Sequence, residues 1–165
     1  MHGSFSTGWV KTETLENNRT MRVEIKKKEV MEEIYALSAL QGYVSLPERE
    51  KALLQEDQAE GLAVLVADAF AEIVMELMPR VADCGMPGDN AGDMWIELKD
   101  GYGEDVMMPA VAAVIAKSMA CTVLSAIYEE CGGGDTYARR ARRGIAIARE
   151  AIDSRRELPR LRGWR

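Results

Sequence analysis

Histidine occurs once in the 165 residues, as His2, so the body of the chain offers no imidazole. That removes Ser–His and Cys–His nucleophilic pairs, and histidine-ligated metal sites, from any fold built on the later residues. Cysteine is nearly as scarce. Cys84, Cys121 and Cys131 are odd in number and lack CxxC spacing. With no secretory leader expected, they read as reduced thiols in a cytosolic setting and not as a disulfide framework. Aromatic residues make up only 6% of the chain. Met and Ala carry much of the apolar weight, a palette that favours helices over sheets. The glycines at 101–103 and 132–134 have neither the spacing nor the following Lys-Ser/Thr of a phosphate-cradling loop. No catalytic residue, cofactor or metal ligand is therefore expected, and the chain reads as a non-enzyme.

What the chain does have is a charge split. From Gly134 onward there are ten arginines, no lysine and four acids, a local charge of +6. Residues 1 to 133 carry 23 acids against 11 bases, or −12, and the two parts sum to the formal −6. A chain so divided is suited to docking by its basic end, onto another molecule or onto a copy of itself.

The patterned part begins at Met21. Residues 1–20 are polar and aperiodic and read as an arm or an upstream extension, with Met21 as an alternative start. Residues 21–157 read as one helical domain and 158–165 as a basic tail. Met21, Val23 and Ile25 alternate with Arg22, Glu24 and Lys26, which predicts a short strand. A helix is expected over about 28–41, with Val30, Ile34, Leu37 and Leu40 on one face and Gly42 as its stop. Ser45-Leu46-Pro47-Glu48 is a capping box with proline in the first turn. The helix it opens should run to about Pro79, burying Leu54, Leu62, Leu65, Val66, Ala69, Phe70, Ile73 and Leu77, with Gly61 marking a bend or break. Residues 84–92 read as a loop and 93–99 as a second strand, free to pair with the first or with a neighbour's sheet.

From about Glu104 to Cys131 a nearly all-round apolar helix is expected at the centre of the bundle. Its 22-residue core, Val106 to Ile127, is long enough to span a bilayer. Lys117 at its middle and the abundance of Ala, Ser, Thr and Cys favour a buried soluble helix instead. The last helix, capped by Asp135 or Thr136, carries Tyr137, Ala141, Ile145, Ala148 and Ile152 as one narrow stripe among arginines. The fold class expected is mainly α: a bundle of about four helices with a small two-strand β element.

Two charged groupings stand out. Arg139, Arg142, Arg143, Arg155, Arg156, Arg160 and Arg162 are the residues expected to dock. They suit a solvated face, an acidic protein partner or the phosphate backbone of DNA, and arginine used without lysine leans toward paired, forked contacts. No aromatic interleaving, zinc ligand or helix-turn-helix spacing supports reading of base sequence. Asp68, Glu72 and Glu76 fall at i, i+4 and i+8, and Glu29, Glu32 and Glu33 form a second acidic group. Facing carboxylates can hold magnesium in helical nucleotide hydrolases, but the ExxE at Glu29–Glu32 has no ExxD partner, so a solvated stripe is expected.

Taken together, the strand-to-helix opening MRVEIKKKEV (21–30), the WIEL (95–98) followed by the long apolar helix, and the ending YARRARR (137–143) with its basic tail resemble the small head–tail connector (neck or adaptor) proteins of tailed bacteriophages and prophages. The resemblance lies in the layout of everything after Met21 and leaves 1–20 unmatched. It implies a structural virion protein, a helical bundle assembled as a homo-oligomeric ring between portal and tail-side neck protein, made in the host cytoplasm. It also implies no cofactor and no active site; no membrane partner is expected, and the arginine tail would meet DNA, if at all, through its backbone. The alternative from a different class is a small helical regulator that binds nucleic acid non-specifically through its arginine-rich last helix.

Overall fold

The computed structural model describes residues 20–44, 59–86, 92–129 and 133–154. In order these form β1 (Met21–Ile25), α1 (Lys27–Val44), α2 (Ala59–Leu77), β2 (Val81–Gly85), β3 (Met94–Leu98), α3 (Met108–Ile127) and α4 (Gly134–Asp153). Single 3-10 turns, Met78–Arg80 and Asp105–Met107, lead into β2 and α3. The architecture is the expected one, mainly helical with a small β element. The sheet, however, has three strands and not two.

The missing strand is Val81–Gly85, whose run of Ala, Asp and Cys carries no apolar alternation to betray it. Pairing makes it a strand, because β3 has a free edge on that side. The sheet order is β1-β3-β2, with both pairings antiparallel. Val23 faces Ile96 in one, Cys84 faces Ile96 in the other, and a bulge lies between Val81 and Asp83. The 93–99 segment, expected to pair with the first strand or with a neighbour's sheet, pairs with the first and, with β2 on its other side, is the central strand with neither edge open. The alternation has the consequence it predicts: Val23, Ile25, Met94, Ile96 and Leu98 are buried while Arg22 and Glu24 are exposed.

Helix α3 is the hub, packing against α4 most extensively and also against α1, α2 and β1. Ten of its residues are buried, and Ile115, Met119 and Leu124 are fully so. Each such side chain contributes roughly 1.5–3 kcal/mol relative to exposure. With the turn before it, the helix is long and apolar enough to cross a membrane. Here half of that stretch is buried, and the charge at its middle is accommodated: Lys117 lies exposed and reaches Glu33 of α1 at 3.3 Å. Pro109 sits in the first turn, where its missing donor costs nothing.

Helix α2 buries Leu62, Val66, Ala69, Phe70, Ile73 and Leu77 as expected, half-buries Leu65, and ends before Pro79. Its backbone passes unbroken through Gly61. The capping box at 45–48 and Leu54 lie outside the described residues. In α1, Val30, Ile34 and Leu37 are buried, but Leu40 is 59% exposed. Three residues after Leu37 the helix is still short of a full turn, at 3.6 residues per turn. Gln41 stands on the inner line instead, and the helix continues past Gly42 to Val44.

Candidate docking surface

Helix α4 is the strongly amphipathic element, and the burial of its narrow stripe determines where its arginines go. Tyr137, Ala141, Ala148 and Ile152 are buried against the bundle, and Ile145 is half-buried. The helix approaches α3 closely at Gly144, where an added Cβ would lie 2.1 Å from the Ser118 hydroxyl. That hydroxyl donates to the carbonyl of Val114 at 2.8 Å. The expected cap at Asp135 or Thr136 does not form. Gly134 is already helical and Gly133, at the N-cap position, has no side chain to cap with, while the backbone N–H of Gly134 bonds the carbonyl of Tyr128.

With the stripe inward, Arg139, Arg142 and Arg143 are all exposed. They do not form one surface. By helical spacing Arg139 and Arg143 project directly away from the core, whereas Arg142 turns toward α2. Arg140, on the opposite flank, lies over the Tyr137 ring at 5.9 Å, and Arg149 reaches Glu76 of α2 at 2.7 Å. Arg155, Arg156, Arg160 and Arg162 lie outside the described residues.

A groove of about 1200 Å³ runs between α2 and α4 over the second half of α3. Its floor is small, with Thr122, Ser125 and Ala126, and its far wall includes Ala138, Arg142 and Ile145 of α4. Ala71, Glu72, Met75 and Glu76 make the wall from α2, and Glu129 and Asp135 stand at the α3–α4 turn. Four carboxylates thus face a single guanidinium among the lining side chains. Beside the groove the outer surface of α2 shows apolar side chains to solvent, Met75 at 67% and Val64 at 57% exposed. Asp68, Glu72 and Glu76 are exposed along the same helix, as a stripe at four-residue spacing should be. Sequence reasoning saw this stripe but not the groove, which exists only because α3 holds α2 and α4 apart.

The far ends of these helices are tied together. Arg80, after α2, forks onto Asp153 at the end of α4, with Nε donating to Oδ1 at 2.7 Å and Nη2 to Oδ2 at 2.5 Å. This bidentate bond raises the affinity of Arg80 for its proton still further. The Gly103 N–H bonds the Ile152 carbonyl at 2.9 Å. Gly103 has φ +73, and a side chain there would press on Leu98 and Met108.

A second joint uses the scarce aromatics. Tyr128 and Tyr137 stack at 5.9 Å, and the hydroxyl of Tyr128 hydrogen-bonds Ser38 of α1 at 2.9 Å. Burial pushes the Tyr137 phenol above its ordinary range, and burial does the same to the Cys121 thiol on α3. Cys121 is therefore a small apolar core residue. Cys84, expected in a loop, is exposed on β2, and Cys131 lies outside the described residues. The two acidic groups stay apart: Glu29 and Glu32 pair with Lys26 and Lys28, and Glu33 pairs with Lys117. Among the described residues no three metal-ligating side chains converge.

Comparison with known proteins adds no relative: no family model, no curated protein and no solved structure matches the chain.

Proposed function

We propose that this chain is a non-enzymatic structural protein of a phage or prophage virion, of the head–tail connector type. It acts by assembling into a ring and docking between portal and tail, with the arginine-bearing helix α4 and the segment after it as the docking element. The observation that carries the reading is the division of charge on the folded molecule. Arg139 and Arg143 stand outward on α4, while Asp68, Glu72 and Glu76 stand outward on α2. A body with opposite charges on separate faces favours head-to-tail contacts, and such contacts close into rings where the rotation between copies allows closure. The layout resemblance beginning at Met21 supplies the setting.

The test is made on particles. Induction of the prophage that encodes the chain should yield virions that contain it, detected by mass spectrometry of purified particles. A stop codon early in its gene should leave filled heads and finished tails unjoined. Particles that lack the protein, or that mature normally without it, would overturn the reading. Duplex binding that weakens steeply with salt, by a chain absent from particles, would put the nucleic-acid regulator in its place.

A further inference from the structure

We propose that the acid-and-apolar face of α2, with the groove beside it, receives the outer face of α4 from a second copy of the chain. This deepens the self-assembling reading above, on which it rests, by naming the two surfaces that meet.

Three observations converge on it. The first is a matched repeat. Asp68, Glu72 and Glu76 lie at four-residue intervals on α2, and Arg139, Arg143 and Ile147 lie at four-residue intervals on α4. In a helix this interval advances about 6 Å and nearly repeats the azimuth, so two such rows laid alongside each other stay in register. The second is charge. The α2 row is carboxylate and two of the three α4 positions are guanidinium, all of them exposed. Glu72 forms no ion pair among the described residues, while Glu76 is held by Arg149. The third is apolar surface. Val64, Ala71 and Met75 flank the acid row, and Ile147, 47% exposed, ends the arginine row with Ala146 beside it. Glu150 lies one turn beyond Ala146 on the same face and confines the contact to the first turns of α4.

The two faces are different parts of one molecule. Each copy would therefore give α4 to one neighbour and take α4 from another, a heterologous contact that leaves both ends open for growth or closure. Arginine suits this use because its stem covers Met75 while its head meets the carboxylate.

The full chain is studied by light scattering and sedimentation at low and moderate salt. Wild type is expected to self-associate at low salt and dissociate as salt rises. Asp68→Asn/Glu72→Gln and Arg139→Gln/Arg143→Gln should each weaken association about tenfold, since two exposed pairs are lost, with helical circular dichroism unchanged. The decisive sample is their mixture. One variant keeps the giving face intact and the other the receiving face, so at a concentration where neither associates alone the mixture should stop at a 1:1 complex. A charge-swapped chain, Asp68→Arg/Glu72→Arg/Arg139→Glu/Arg143→Glu, should regain association. A wild type that is monomeric throughout, variants that assemble unchanged, or a mixture that grows past two would each overturn the inference. Any of these with the protein still present in particles would leave the connector reading standing, so the two failures are distinguishable.

Discussion

At Gly144 the close approach of α4 to α3 is decided by a single hydroxyl. In a helix Ala should stabilise by about 1 kcal/mol over Gly. Here the new Cβ would displace the Ser118 Oγ, which already bonds the Val114 carbonyl, and a buried hydroxyl driven from its partner costs about 1–3 kcal/mol. Gly144→Ala should therefore be neutral or destabilising in the wild type. In a Ser118→Ala background it should stabilise, because the next nearest atom is the Cβ of residue 118 at 3.4 Å. A double-mutant cycle by urea unfolding should show coupling of at least about 1 kcal/mol; additive effects would mean that the helices do not cross there. None of this is legible in the sequence, where Gly144 is one more small residue among arginines. The Arg80–Asp153 fork is equally silent, since nothing local to either residue announces a partner far along the chain. Loss of Asp153 to Ala should cost about 1–2 kcal/mol, the pair being only partly buried, and thermal melts of the variant would measure it.

Among the elements, the joint between the ends of α1 and α3 and the start of α4 predicts a response to pH. Tyr137 and Cys121 hold their protons more tightly in the fold than in the unfolded chain, because burial disfavours the charged forms. Their contribution is fully present below the unfolded values, about 8.5 for thiol and 10 for phenol. It is lost as pH rises through the raised folded values, because the unfolded state gains by ionising first. Stability should accordingly fall on the alkaline side, above about pH 9. Tyr137→Phe should flatten the upper part of that fall and cost little at neutral pH, since the hydroxyl makes only long contacts of 3.4 Å. Denaturant midpoints from pH 7 to 11 would show it, and an identical alkaline slope in the variant would assign the fall to other groups. Sequence periodicity was most informative at this scale. Apolar repeats located the described parts of α1 and α2, together with α3 and α4, and alternation located β1 and β3. It failed where pairing or backbone geometry determines structure: at β2, at the start of α4, and at Leu40.

For the molecule as a whole, the position of α3 predicts cooperativity. Because α3 touches α1, α2, α4 and β1, a cavity in it should be felt throughout. Met119→Ala should cost about 2–5 kcal/mol. Amide exchange at Val23 and Ile96 of the sheet should then accelerate as much as exchange within α3. Acceleration confined to the helices would separate the sheet from the bundle. The charge split was the whole-molecule property plainest in the sequence. Its spatial meaning was not, because the acidic stripe on α2 and the arginines on α4 become two faces only once α3 separates them. A stripe of three carboxylates on its own looks the same whether it faces water or a partner.

The strand order also bears on synthesis. Val23 pairs with Ile96, about seventy residues later in the chain, and α3, which covers β1, comes later still. At ribosomal speeds of 5–20 residues per second, roughly 4–14 s pass before β1 meets its partner. During that interval the nascent chain carries an apolar strand with both edges open and without α3, the helix it packs against. The charged residues that alternate through β1 are then its protection, keeping one face wetted while the rest of the sheet is still being made.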